Sequence, residues 1–117
     1  MNRPTVQNIV DAYAKTGWKP ARSTCWERDA EGRECGCAAG VLAAVHGCVI
    51  LPREVMRSLS LAQYANNIYG KHFTAGLMAG FDGLGIDLNR YRDDPDFLAG
   101  HEVGKAALAA VVPEGKW

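Results

Sequence analysis

The chain has no excess of either charge: 13 Lys and Arg balance 13 Asp and Glu across 117 residues. A protein that grips nucleic acid by neutralising phosphates needs a basic face, and such a face shows in the balance. The cations are scattered from Arg3 to Lys116 and never form a run of five, so nucleic-acid binding is not expected. Long apolar runs are missing too. The longest extends from Cys37 to Leu51 and is interrupted by His46 and Gly47. It falls short of the roughly 20 residues that cross a bilayer, which marks it as a buried core segment and implies no membrane partner. No hydrophobic signal region follows Met1-Asn2-Arg3-Pro4. The sequence therefore points to a cytosolic protein that begins at its own start codon. Large core side chains are scarce, with three Phe, three Met and three Trp. In their place, 17 Ala and 13 Gly fill about a quarter of the positions.

Periodicity lays out the helices. Val6, Ile9, Val10 and Tyr13 share one face, Thr5 can cap its start, and Gly17 sits where a left-handed C-terminal cap belongs. From Trp18 to Gly36 the helical period vanishes. Asp29-Ala30-Glu31-Gly32 is turn-like and would join Thr24–Trp26 to Arg33–Cys35 as a short hairpin, or else lie in a mobile loop. Cys37 to Val45 is apolar around its full circumference, the mark of a helix buried on all sides. Cys48 to Leu51 is a short extended run, and Pro52 can open the next helix.

Arg53 to Leu59, with Val55, Met56 and Leu59 inward, predicts a short helix. Ser60-Leu61-Ala62-Gln63 matches a capping box and predicts a fresh helix running to Gly70. Phe73, Leu77 and Phe81 define another, closed by Gly83, and Asp94-Pro95 starts the last, with Phe97, His101, Gly104, Leu108 and Val111 on one stripe. The expected fold is a single all-α domain over residues 1–117. Five to six short helices surround a buried central helix, with a small β-hairpin or loop at residues 18–36.

Gly36, Gly40 and Ala44 are spaced by four, as are Gly76 and Gly80, and Gly100 and Gly104. Residues four apart stack on one helix face, and glycine inside a helix costs roughly 0.5–1 kcal/mol relative to alanine. Three such pairs imply a compensating contact. Close backbone approach between helices is the simplest one, and a ligand cavity is the alternative.

The cysteines are Cys25, Cys35, Cys37 and Cys48. In a reducing compartment disulfides are rare, so buried thiols are the first expectation and a metal the second. A structural zinc site shows two close ligand pairs. Here only Cys35 and Cys37 are close, with His46 as a further candidate, and no cofactor is expected. A nucleophile would be Cys37, at the start of an expected helix where amides lower a thiol pKa. His72 or His101 would be its base and Asp82 the orienting group. Gly80-Phe81-Asp82-Gly83-Leu84-Gly85 follows a helix and lacks the phosphate-loop pattern. Asp87 to Leu98 lacks the glycine and final glutamate of a calcium loop. Trp18, Trp26 and Trp117 are the large aromatics, two of them in the irregular segment.

These residues point to a small cytosolic binding module without catalysis, free to form homo-oligomers. Its partner would be a small molecule or a protein, and its working surface Trp26, Cys35, Cys37 and Asp82. The runner-up is a cysteine-dependent protein, either a metal site or a thiol enzyme, built on Cys35 and Cys37.

Overall fold

The computed structural model describes residues 3–47, 54–87 and 89–113. Cys48, the run at 48–51, Pro52 and Trp117 lie outside the described residues, as do the side chains of Val55, Met56 and Leu59. Helix α1 (Val6–Thr16) begins at a reciprocal cap. The Thr5 hydroxyl accepts the Asn8 N–H while the Asn8 side chain accepts the Thr5 N–H. It ends at Gly17, whose φ of 72° lets its N–H turn back to the Tyr13 carbonyl. Ile9, Ala12 and Tyr13 form its buried face.

The segment from Trp18 to Gly36 is where the all-α expectation needs correction. It folds as a three-stranded sheet of order β1-β3-β2, made from Lys19–Pro20, Glu27–Arg28 and Glu34–Gly36 in chain order. A hairpin is present, with β2 antiparallel to β3 in a register pairing Glu27 with Cys35, but its first strand is Glu27–Arg28 rather than the expected Thr24–Trp26. Asp29 makes its turn by accepting the Glu31 and Arg33 amides on one carboxylate oxygen. The addition is β1, which pairs parallel to β3 through only two residues and carries no sequence signal of its own.

Helix α2 (Ala38–Val45) starts at Cys37 as N-cap, and every residue from Ala38 to Ala43 is buried. It packs against α1, α3, α4 and β3. Helix α3 (Glu54–Tyr69) is continuous, so the break expected at Ser60 is absent. A capping box satisfies only donors that a helix start leaves open. Inside a continuous helix those amides are already bonded, and Gln63 donates instead to Asn67 one turn on. Gly70, at φ 90°, separates α3 from α4 (Lys71–Phe81).

Helix α5 (Pro95–Val111) is capped by Asp94, which accepts the Asp96 and Phe97 amides. Helices α4 and α5 lie backbone to backbone. A Cβ at Gly76 would overlap the Phe97 carbonyl, and one at Gly80 the His101 carbonyl. From the other side, Gly100 meets the Phe73 carbonyl and Gly104 that of Leu77. Position numbers rise together on both helices, so the two run parallel. The connector must therefore travel back along α4, about 16 Å for 11 residues. It is fastened on the way: His101 Nε2 donates to the Leu84 carbonyl at 2.7 Å, and Tyr91 stacks on His72 with ring centroids 4.4 Å apart. The last turn of the return path ends on a 2.7 Å His72–Asp94 bond.

Close packing, rather than a cavity, is thus what the spacing of Gly76 and Gly80 and of Gly100 and Gly104 serves, whereas Gly36 lies in β3 and shares no helix face with Gly40. Gly100→Ala is expected to destabilise the protein by about 1–3 kcal/mol in urea unfolding, because the new methyl group meets carbonyl oxygen. Gly85→Ala, where nothing stands within 4 Å, should stay within about 0.5 kcal/mol of the parent.

Candidate functional site

The sequence candidates divide into a buried cluster and an open cleft. The cluster forms because Gly36 and Gly40 lack side chains. A Cβ on Gly40 would stand 2.7 Å from the Cys25 carbonyl carbon and 2.9 Å from its Cα, and one on Gly36 would stand 2.8 Å from the Trp18 ring. The Cys25 backbone therefore rests directly on the first turn of α2. The Cys37 N–H donates to the Thr24 carbonyl at 2.8 Å and fastens the two segments. As a result the Cys25 and Cys37 sulfurs share a hydrogen bond at 3.7 Å, both buried.

Tyr13 closes one side, its hydroxyl donating to the Gly36 carbonyl at 2.6 Å. Its ring stacks on Phe81 at 6.0 Å. Asp82, just past the end of α4, accepts the Ser23 N–H at 2.9 Å. Ser23 holds a left-handed φ of 63°, uncommon for a residue other than glycine.

These groups set one another's proton affinity. Tyr13 is pushed well up by burial, then by the nearby Cys37, Asp82 and Cys25. Cys25 is raised first by its hydrogen bond with Cys37, with burial adding to the effect. Cys37 is lowered, first by that same hydrogen bond and then by the Gly40 and Ala39 amides, against burial and Asp82. Cys37 is thus the more acidic thiol of the pair. Burial raises Asp82, while the Ser23 amide and the Arg22 charge oppose the rise.

His72 does not join this cluster. It is bonded to Asp94 near the start of α4, ten residues and about 15 Å of helix from Asp82. His101 is engaged with the Leu84 carbonyl. Among the described residues no group of three His, Cys, Asp or Glu converges as metal ligands. Cys25 and Cys37 offer two sulfurs where structural zinc takes four ligands.

Trp26 and Cys35 are also buried, at 3% and 4% exposure. Trp26 anchors the sheet in the core cluster, with the Arg28 guanidinium over its ring at 5.8 Å. Cys35 donates its thiol to the Arg33 carbonyl at 3.4 Å, away from the Cys25–Cys37 pair. Its pKa is raised by burial and by the Asp29 and Glu27 charges. It forms part of the floor of the open cleft, about 390 Å³ in volume, with Pro20 and Ala21, below a rim of Lys19, Arg22, Glu27 and Asp29. The cleft's four charged side chains escaped the sequence reading because β1 brings Lys19 beside β3 through a pairing no pattern announces.

Compared with known proteins, the chain matches no protein-family model, no curated protein and no solved structure.

The Asp82 shift has a measurable sign. Its folded pKa lies above the unfolded value, so its ionisation opposes folding above the folded pKa, and that penalty fades as pH falls toward 3.8. Asp82→Asn keeps an oxygen for the Ser23 amide and removes the charge. In urea unfolding between pH 7 and 4, the variant's stability relative to the parent is expected to decline once pH drops through the raised folded pKa. A difference independent of pH would contradict the shift.

Proposed function

We propose that the chain is a small cytosolic, non-catalytic binding module whose working surface is the cleft over the three-stranded sheet. The observation that carries this reading is the placing of two cations and two carboxylates around one apolar floor: Lys19 and Arg22, Glu27 and Asp29, above Pro20, Ala21 and Cys35. Its volume of about 390 Å³ falls in the range of small-molecule sites. A rim of both signs suits a small zwitterion with a short apolar body, such as a free amino acid or a dipeptide. Trp26, Cys37 and Asp82 then act from beneath, holding the sheet on α2 and α4 rather than touching the ligand. In this reading α2 is the central helix on which the module is built.

The cysteine-dependent alternative draws support from Cys37 at the N-cap of α2, where the first-turn amides favour its thiolate. It loses the partner it named, since Cys35 is bonded elsewhere and its thiol is raised.

Titrating free amino acids and dipeptides into isotope-labelled protein tests the module. Amide shifts confined to residues 19–22, 27–29 and 35 are expected, and Lys19→Glu should weaken the best ligand about tenfold, the worth of one charged hydrogen bond. A spectrum unmoved by the whole panel would count against a zwitterion site.

A further inference from the structure

Two buried thiols held in hydrogen-bond contact, from segments twelve residues apart, serve no need of the binding cleft. Cys25 could point elsewhere. Instead Gly40 admits its backbone onto α2, and the 2.8 Å bond from the Cys37 N–H to the Thr24 carbonyl fixes the two chains side by side. The sulfurs lie 3.7 Å apart, and a disulfide bond of about 2.05 Å requires them to close by less than two ångströms. We propose that Cys25 and Cys37 form an oxidative modification site, joined into a disulfide by a small hydroperoxide.

The chemistry balances in two steps. The Cys37 sulfur attacks one peroxide oxygen, an S–O bond forms, the O–O bond breaks, and the departing oxygen takes the thiol proton to leave as alcohol or water. The Cys25 sulfur then attacks the Cys37 sulfenic sulfur. The S–S bond forms, the S–O bond breaks, and hydroxide leaves with the Cys25 proton as water. The two sulfurs lose two electrons together and the peroxide gains them. The order follows from the site, because the hydrogen bond with Cys25 and the first-turn amides of α2 lower the Cys37 thiol while the Cys25 thiol is raised. Burial selects the oxidant. Cys37 is 1% exposed and Cys25 3%, so the oxidant that burial hinders least is hydrogen peroxide, the member of the class closest to water in size. The same burial excludes bulky disulfides such as oxidised glutathione from the first attack. Cys35, with its thiol turned to the Arg33 carbonyl, is outside the reaction.

The experiment treats the reduced full chain with hydrogen peroxide, blocks the remaining thiols with N-ethylmaleimide and maps the peptides. Trypsin cuts after Arg28 and Arg33 and so separates Cys25 from the other three cysteines. The expected result is loss of two blockable thiols, a mass lower by about 2 Da, and a crosslink between the two peptides. A Cys35→Ser/Cys48→Ser double variant should form the same crosslink, which then identifies Cys37. Cys25→Ser should stop at a sulfenic acid on Cys37 that dimedone traps. If that variant fails to fold, the crosslink in the Cys35→Ser/Cys48→Ser double variant still decides. A crosslink to Cys35 or Cys48, or no loss of thiols in native protein at peroxide levels that oxidise the urea-unfolded chain, would overturn the proposal.

Discussion

Backbone lies directly against backbone opposite six glycines of this molecule, and the rest of the structure depends on those contacts. Gly76, Gly80, Gly100 and Gly104 let α4 and α5 run parallel with each helix's carbonyls in the space of the other's missing side chains. The parallel course obliges the connector to double back. It also puts the starts of both helices at one end, where His72 meets Asp94, and leaves Asp82 at the other, within reach of Ser23. Gly36 and Gly40 admit Trp18 and the Cys25 backbone onto α2. A small core is closed with few large side chains because its elements approach more nearly than leucine or phenylalanine would permit. The five helical contacts trade helix propensity for packing, Gly36 makes its contact from β3, and every one of these positions is intolerant of a methyl group.

The same closeness creates the electrostatic character of the interior. Tyr13, Cys25, Cys37 and Asp82 can each become an anion, and they share one region of low solvent access. Burial pushes Tyr13 and Asp82 toward their neutral forms, with neighbouring charges adding to the rise of Tyr13, and the hydrogen bond with Cys37 does the same for Cys25. Cys37 alone is drawn the other way, by its hydrogen bond with Cys25 and by the amides of a helix start. One distinct acidity thus emerges from four weak acids through hydrogen bonding.

Much of this was legible in the sequence where a local rule decides the outcome. Thr5 and Gly17 bracket α1, Asp94-Pro95 opens α5, Asp29 to Gly32 turns the hairpin, and the spacing of the helical glycines announces close faces. What escaped depends on distant parts of the chain. A two-residue parallel pairing leaves no periodicity, so β1 and the charged cleft it completes were invisible. Ser60 and Gln63 carry a valid capping signal, but α3 continues through it because adjoining turns already use those amides. The nearest cysteines in sequence, Cys35 and Cys37, take different partners, whereas Cys37 meets Cys25 across a hairpin. Spacing of glycines revealed that helices touch, but not that α4 and α5 run in the same direction.

Gly40→Ala separates the governing ideas most sharply, because they predict opposite signs. Helix propensity alone favours alanine by about 1 kcal/mol at an interior position of α2. Contact with the Cys25 backbone predicts instead a loss of about 1–3 kcal/mol. The measurement is urea unfolding of this variant beside the unsubstituted chain, with the rate of alkylation of Cys25 and Cys37 followed on the same samples. Lower stability together with faster alkylation of both thiols is the expected result. Equal or greater stability with the thiols still protected would contradict the claim that backbone contact at glycine holds this fold together.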